Sequence, residues 1–210
     1  MLKLDLRKEL KSLYAASAKR AEIVDVPAFN FALVDGGFSP GEAPDTSPAF
    51  AAAIGALYGV SYTLKFMSKQ REVDPIDYTV MALEALWWVE DGQWSMERKD
   101  NWKWTAMILQ PDHITPEMFA DAVKKAGAKR PNPALEQIRL DCWQEGTCVQ
   151  MMHVGPYASE PATVERMDAF AAEQGYTQSG KHHEIYLGDP MRSAPEKLKT
   201  ILRHPVKKIT

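Results

Sequence analysis

The stretch TCVQMMHVGPYASEPATVERMDAFAAEQGYTQSGKHHEIYL, residues 147–187, carries the order of elements that decides the fold. Gly155-Pro156-Tyr157 turns the chain after a predicted strand, and Gly175 closes a predicted helix. The predicted members of this part are a strand over 147–154, the glycine loop over 155–157, a helix over 161–174, and strands over 182–187 and 198–203.

The upstream residues repeat this order of elements. Its predicted members are a strand over 29–34, the loop Gly37-Phe38, a helix over 50–69, and strands over 78–90 and 102–110. Identity between the halves is slight, so the duplication rests on element order and on the matching loop. The sequence thus predicts an α+β fold of duplicated strand-helix-strand-strand modules, whose antiparallel sheets surround a central ligand cleft.

The predicted domain organisation is one domain behind a short arm. Residues 1–20 have apolar groups at helical spacing and predict an amphipathic helical arm, and 21–210 form the domain. Its halves, about 21–112 and 134–210, are joined by a helical linker in which Thr115 caps a helix that ends near Gly127. A hairpin of 135–143 with 146–154 is predicted to open the second half.

Composition excludes several classes of protein. A net charge of −3 gives no basic field for nucleic acid, and no stretch approaches the roughly 20 apolar residues that span a bilayer. The N-terminus has charges where a secretion signal needs an apolar core, so we expect a cytoplasmic protein. Cys142 and Cys148 match no zinc or redox spacing and are expected to be reduced and structural.

Strand alternation separates candidate site residues from core residues. Glu84 and Trp88 share one face of their strand, while His182, Glu184 and Tyr186 share one face of another. A carboxylate inside a strand with aromatic and imidazole neighbours can act as a general base, but Glu184 could equally be a solvated edge residue. For Glu84, a structural role is the stronger alternative.

Aromatic residues supply the remaining candidates. Five of the six tryptophans lie within 87–104, and Trp88 and Trp104 are candidates for stacking a planar ligand. Such stripes are more often core, and Trp87 is assigned to the core. Tyr157 follows the glycine loop, where its hydroxyl could donate to a ligand or cover the core instead.

Cofactor motifs are not found in the sequence. His182 and His183 are adjacent strand residues that point to opposite faces, and no third ligand has suitable spacing, so no metal is expected. No glycine-rich phosphate loop or Ser-His-Asp pattern occurs either, and we expect no cofactor.

Several motifs resemble the GyrI-like small-molecule-binding family. They are His153-Val154-Gly155-Pro156-Tyr157, Glu160-Pro161-Ala162-Thr163, the run 180–190 around HHEIYLGDP, and 194–200, with 84–88 and 102–111 in the first half. The resemblance covers the chain from about Ile23. It implies a duplicated fold with a central pocket and a ligand-facing glutamate, here Glu184. Members fused to a DNA-binding domain are regulators, others inhibit gyrase, and the free-standing group, which this chain resembles most, is similar to hydrolases of cyclopropane-bearing indole genotoxins.

Two functions from different classes stay open. In the first, a cofactor-independent hydrolase, Glu184 deprotonates water, Tyr157 or Tyr186 stabilises the substrate oxygen, and Trp88 and Trp104 stack the substrate. In the second, the protein sequesters hydrophobic or cationic small molecules, with Glu184 and Glu84 as counter-charges. His182 completes the predicted ligand site. A protein partner such as gyrase would rest on family analogy alone.

Overall fold

A computed structural model of the chain describes residues 1–90, 101–190 and 192–209. The helices are α1 (Leu6–Glu9), α2 (Lys11–Tyr14), α3 (Pro48–Lys69), α4 (Pro116–Lys129) and α5 (Glu160–Glu173). The strands are β1 (Leu2–Leu4), β2 (Glu22–Gly37), β3 (Ile76–Tyr78), β4 (Leu83–Trp88), β5 (Lys103–Gln110), β6 (Arg139–Val154), β7 (Tyr176–Gln178), β8 (His182–Tyr186) and β9 (Lys199–Lys208). Short 3-10 turns lie at Pro133–Glu136, Tyr157–Ser159 and Pro195–Lys197.

The two long helices of the first part of the chain begin with the same local chemistry. Ser47 caps α3 by accepting from the amide of Phe50, and Thr115 caps α4 by accepting from the amide of Met118. Each cap is followed by a proline, whose fixed φ suits the first turn and whose missing N–H removes a donor that would have no partner there. The predicted cap at Thr115 is confirmed.

The first of two compact units comprises Met1–Glu9, Phe29–Leu83 and Val89–Trp143. Within it β2 pairs antiparallel with β5, and β1 pairs parallel with β3. The indole of Trp104 on β5 packs edge-on against Phe50 of α3, with ring centroids 5.0 Å apart. Gly36 of β2 lies under this indole, where a Cβ atom would come within 2.1 Å of the ring, so only glycine fits.

The second unit comprises Leu10–Ala28, Glu84–Trp88 and Gln144–Thr210. Its strands form antiparallel ladders between β4 and β8, β8 and β9, β9 and β6, and β9 and β7. Helix α5 packs on this sheet through a core cluster that consists of Ala21, Val149, Met151, Met167, Ala171, Leu202 and Val206. This face of the sheet is apolar around the cluster but also contains polar side chains, because Glu184 of β8 pairs with Leu202 of the cluster and therefore lies on the same face.

The mixed helix and strand class with antiparallel pairing is confirmed, whereas the predicted hairpin of 135–143 with 146–154 is wrong. Residues 139–154 form the single strand β6, and 133–136 form a 3-10 turn. Gly146 has a φ of +78° inside this strand, as in a β-bulge, so its glycine marks a local distortion of one strand and not a reversal.

The N-terminal arm differs from its prediction, and the predicted duplication is not tested. The arm predicted over 1–20 contains β1 and two helices of only four residues each. Duplication of a module and the halves 21–112 and 134–210 stay predictions. Residues 91–100, which connect the predicted strands 78–90 and 102–110 and include Trp94, lie outside the described residues.

Helix α3 corrects the expectation that no stretch is long enough for a membrane span. It has 22 residues and is, by length and composition, apolar enough to cross a bilayer. That is weak evidence, because core helices pass the same test, and α3 buries Phe50, Ala53, Ala56, Leu57, Val60 and Leu64. A cytoplasmic location stays a prediction.

Candidate functional site

The candidate site is built on β8, which contributes three polar side chains to one sheet face. Alternation puts His182, Glu184 and Tyr186 on the same side of this strand. The antiparallel register pairs Ala85 with Glu184 and Trp87 with His182, so the small Ala85 is the direct cross-strand neighbour of the glutamate.

Glu184 is a buried carboxylate and not a solvated edge residue. It is only 6% exposed, and its Oε1 lies 3.1 Å from Nε2 of His182. Tyr186 also forms a hydrogen bond with Glu184, and the phenol is the donor in this bond because a carboxylate only accepts. Glu184 is thereby held by two neighbours on its own strand.

The glycine loop brings two further groups to the same place. Gly155 has a φ of +141°, which glycine adopts readily, and its N–H donates to the carbonyl of Leu198 on the way into β9. The turn leaves the ring of Tyr157 edge-on against that of Tyr186, with centroids 5.9 Å apart. Glu160, three residues later at the start of α5, is 1% exposed.

Both tyrosines of the site are kept protonated. Burial, then the negative charge of Glu184 and then that of Glu160 raise the pKa of Tyr157 to about 12. Burial is again the main cause for Tyr186, followed by the charge and the hydrogen bond of Glu184, and its pKa lies well above the ordinary value for tyrosine. These phenols are therefore neutral hydrogen-bond donors throughout the physiological pH range.

Two buried histidines, His182 and His204, are connected to Glu184 through side-chain hydrogen bonds. Nδ1 of His182 lies 2.6 Å from Nε2 of His204, and both rings are almost fully buried. On the far side, Nδ1 of His204 is 3.7 Å from a carboxylate oxygen of Asp168, whose side chain is 48% exposed. Burial outweighs this carboxylate and lowers the pKa of His204. A chain of polar groups thus connects the buried Glu184 with the surface.

Three of these side chains could hold a metal ion. Glu160, His182 and Glu184 each offer one ligand atom, and these atoms all lie within 4.8 Å of one another. The expectation of no metal site rested on His182 and His183, which do point to opposite faces, as predicted. It overlooked a ligand supplied by α5, far from His182 in sequence.

Glu84 does not join this site. It pairs with Ile185, which places it on the opposite face of the ladder from Glu184. It is completely buried, accepts from Tyr14 Oη at 2.7 Å, and lies 3.0 Å from Nε2 of His183. The predicted ligand contact by Glu84 is not supported, because both of its oxygens have protein partners.

The residues around Glu84 form a buried ion network, which we define as Tyr14, Glu84, Glu145, His183 and Arg203. Nδ1 of His183 lies 3.0 Å from both oxygens of Glu145, and Arg203 donates to Oε2 of Glu145 at 3.3 Å. Burial alone would lower the pKa of His183, but the charges and hydrogen bonds of Glu145 and Glu84 outweigh it and raise that pKa to about 9. The imidazole is therefore charged, and the network is a structural one.

Of the two predicted stacking tryptophans, Trp88 lies on the opposite face of the β4–β8 ladder from Glu184, and the ligand contact of Trp104 stays a prediction. Trp88 belongs by alternation to the Glu84 face of β4, and the ammonium of Lys181 sits 3.2 Å from the centroid of its ring. Trp104 is 1% exposed in the core of the first unit. Of the predicted site residues, the structure brings together Glu184, Tyr157, Tyr186 and His182.

The sequence did not identify Glu160, His204 and Asp168 as site residues. The sequence does indicate that Glu160 lies near Tyr157, since it follows Tyr157 by three residues and precedes Pro161 at the start of a helix. No such indication exists for His204 and Asp168, because only the pairing of β8 with β9 and the packing of α5 bring them near His182.

Comparison with known proteins gives close structural relatives. A conserved protein from Listeria innocua is 40% identical, with a TM-score of 0.88 over 97% of this chain and 100% of that one. A hydrolase from Listeria innocua is 37% identical, with a TM-score of 0.85 over 98% and 100%. The C-terminal domain of EcmrR is 13% identical over 90% and 98%, and its TM-score of 0.54 shows a shared fold alone.

No curated protein matches the chain. The model of the GyrI-like small-molecule-binding domain matches residues 20–207, which is nearly the whole chain. With this match and relatives at 37–40% identity over their full length, the chain belongs to the GyrI-like small-molecule-binding family.

Proposed function

We propose that the protein is a hydrolase that binds a planar, electrophilic small molecule at Glu184 and opens a strained ring, such as a cyclopropane fused to an indole. The observation that carries this proposal is the buried carboxylate of Glu184 beside two neutral phenols. The proposal is supported by membership of a small-molecule-binding family and by two relatives at 37% identity that are described as hydrolases.

In the proposed reaction, Glu184 accepts a proton from water while the water oxygen forms a bond to an electrophilic ring carbon. The strained carbon–carbon bond breaks, and its electron pair moves through the conjugated system to a carbonyl oxygen of the substrate. That oxygen takes a hydrogen bond from Tyr157, or from Tyr186 once its hydroxyl has turned away from Glu184, and finally the proton that Glu184 had removed. Water is thus added across the ring bond, with no oxidant or reductant.

The tyrosines suit this role because they stay protonated. A phenol with a raised pKa can donate to an oxygen that gains charge, and preorganised donors of this kind contribute about 10²- to 10³-fold in rate. His182 would position Glu184 through the contact at 3.1 Å. We assign no stacking role to Trp88.

A test compares wild type with Glu184→Gln on a cyclopropane-bearing indole electrophile. The loss of its conjugated chromophore and the mass of the product are followed under multiple turnover. Wild type should add one water per substrate, and Glu184→Gln should bind without turnover. Glu165→Gln is the matched control, since Glu165 is an exposed glutamate in α5. Equal turnover by Glu184→Gln and wild type would remove Glu184 from the mechanism.

The alternative is binding without turnover, for which the buried Glu184 is also the supporting observation, as a fixed counter-charge for a hydrophobic cation. Glu184→Gln should then weaken the binding of a cationic dye and leave a neutral dye of similar shape unaffected. Equal loss of affinity for both dyes would contradict the role as counter-charge.

A further inference from the structure

The side-chain cluster of Glu160, His182 and Glu184 combines three groups that ligate metals. Two come from β8 and one from the first residue of α5. Their exposed fractions are 1%, 2% and 6%, so all three ligating groups are withdrawn from bulk water. An imidazole with two carboxylates is a donor set that divalent transition metals accept.

The separation of the ligand atoms suits a single ion. Nε2 of His182 and Oε1 of Glu184 are 3.1 Å apart. Two adjacent ligands at right angles, each about 2.1 Å from a metal, are about 3.0 Å apart. The atom offered by Glu160 lies within 4.8 Å of both. A small movement of the Glu160 side chain therefore completes a three-ligand site.

Electrostatics favours a cation at this place. Two carboxylates so close together in a buried setting repel each other, and this repulsion is relieved by a shared proton or by a cation. A divalent ion would neutralise both carboxylates at once.

His204, which lies outside the cluster, can orient the ring of His182 for metal binding. Metal-binding histidines use one ring nitrogen for the metal and the other for a hydrogen bond that fixes the ring and its tautomer. Here Nδ1 of His182 is held by His204 at 2.6 Å, and Nε2 faces the carboxylate of Glu184 at 3.1 Å. When Nδ1 carries the proton and donates it to His204, the lone pair of Nε2 is directed into the cluster.

We propose that Glu160, His182 and Glu184 form a binding site for one divalent transition-metal ion. Three protein ligands leave coordination positions for water or for a ligand oxygen, as in catalytic metal sites. The mixed nitrogen and oxygen donors select Zn²⁺ and Mn²⁺ over Mg²⁺. The inference goes beyond the proposed hydrolysis and does not depend on it, because an ion can be held whether or not a substrate is turned over.

The experiment uses the full chain after treatment with a chelator and its removal by dialysis. Zn²⁺, Mn²⁺ and Mg²⁺ are titrated separately by calorimetry, with no organic ligand present. Wild type should bind one Zn²⁺ per chain and one Mn²⁺ more weakly, with Mg²⁺ weaker again. Glu160→Gln should bind Zn²⁺ at least tenfold more weakly, while Glu165→Gln, the exposed control in the same helix, should match wild type.

Further measurements distinguish the loss of a metal-binding side chain from the loss of the folded structure. A cooperative thermal unfolding transition of Glu160→Gln would establish that the variant is folded. In wild type, substoichiometric Mn²⁺ should broaden the NMR signals of the His182 and His204 rings before those of the other three histidines. His204→Gln should weaken Zn²⁺ binding about 10- to 100-fold, because the ring of His182 loses the hydrogen-bond partner that orients it.

Absence of saturable binding by wild type would overturn the metal site. So would Zn²⁺ binding that is unchanged in Glu160→Gln, or equal affinity for Mg²⁺ and Zn²⁺. These outcomes are read without any substrate, so they stay separate from the outcome of the hydrolysis experiment. A protein that hydrolyses the electrophile but binds no ion would refute this inference alone.

Discussion

Glu84 and Glu184 lie on opposite faces of the ladder between β4 and β8, because Glu84 pairs with Ile185 while Ala85 pairs with Glu184. One carboxylate therefore belongs to the buried ion network, and the other belongs to the candidate site. Substitution of these two glutamates should therefore lower the free energy of unfolding by different amounts.

Glu84→Gln should lower the free energy of unfolding by about 3 kcal/mol, since it removes one of two carboxylates that face the charged, buried His183. Glu184→Gln should cost about 1 kcal/mol, because the amide can still accept from Tyr186. Urea denaturation followed by far-UV circular dichroism measures both. Equal losses for the two variants would contradict the separation of roles.

The sequence predicts which residues share a face within one strand but not which faces meet across strands. His182, Glu184 and Tyr186 do share a face, as their alternation requires. The register between β4 and β8 then decides whether Glu184 lies beside Glu84 or beside Ala85, and a shift of one residue exchanges the two. Nothing local to either strand sets that register, so Trp88 and Glu84 were placed with Glu184 in error.

Long-range pairing explains the other missed residues. The helix caps at Ser47 and Thr115 depend on a few neighbouring residues and can be read from the sequence. His204 meets His182 only because β9 pairs with β8. The single strand β6 was split in two because a glycine inside a strand and a glycine in a turn look the same in one sequence.

Tyr186→Phe tests the hydrogen bond to Glu184. We expect turnover of the ring-bearing electrophile to fall by about 10²-fold while its binding stays within about threefold, because the phenol acts on charge that develops during the reaction. Stopped-flow binding and steady-state turnover measure the two quantities. Tyr62→Phe is the control, because Tyr62 is an exposed residue of α3. A loss of binding equal to the loss of turnover would assign Tyr186 to ligand binding alone.

Lys181→Gln tests whether Trp88 contacts the ligand. The ammonium of Lys181 covers the ring of Trp88, and its removal exposes an indole face that could take a ligand cation. Since Trp88 lies on the Glu84 face, we expect the affinity for a cationic aromatic dye to change by less than about twofold. Dye fluorescence titration of wild type and Lys181→Gln measures this change. A tenfold gain in affinity for the dye would indicate that Trp88 does contact the ligand.

The buried ion network should make the stability of the protein depend on pH. The pKa of His183 is about 9 in the folded protein and 6.5 when unperturbed, so its contribution is complete below pH 6.5 and is lost as pH rises through 9. The difference corresponds to about 3 kcal/mol. On the acid side, burial raises the pKa of Glu145, but His183 and Arg203 outweigh this and lower it, so stability is lost as that carboxylate is protonated.

We therefore expect the free energy of unfolding, measured with urea between pH 4 and pH 9.5, to be highest near pH 6 and to fall towards both ends. His183→Gln should be less stable than wild type at pH 6, because it leaves Glu84 and Glu145 without their shared cation, and its profile between pH 6.5 and 9 should be flatter. A wild-type profile that is level or rises from pH 6.5 to 9 would show that His183 is neutral in the folded protein. The same measurement on Glu165→Gln should reproduce the wild-type curve, since Glu165 is exposed on α5 and lies outside the network.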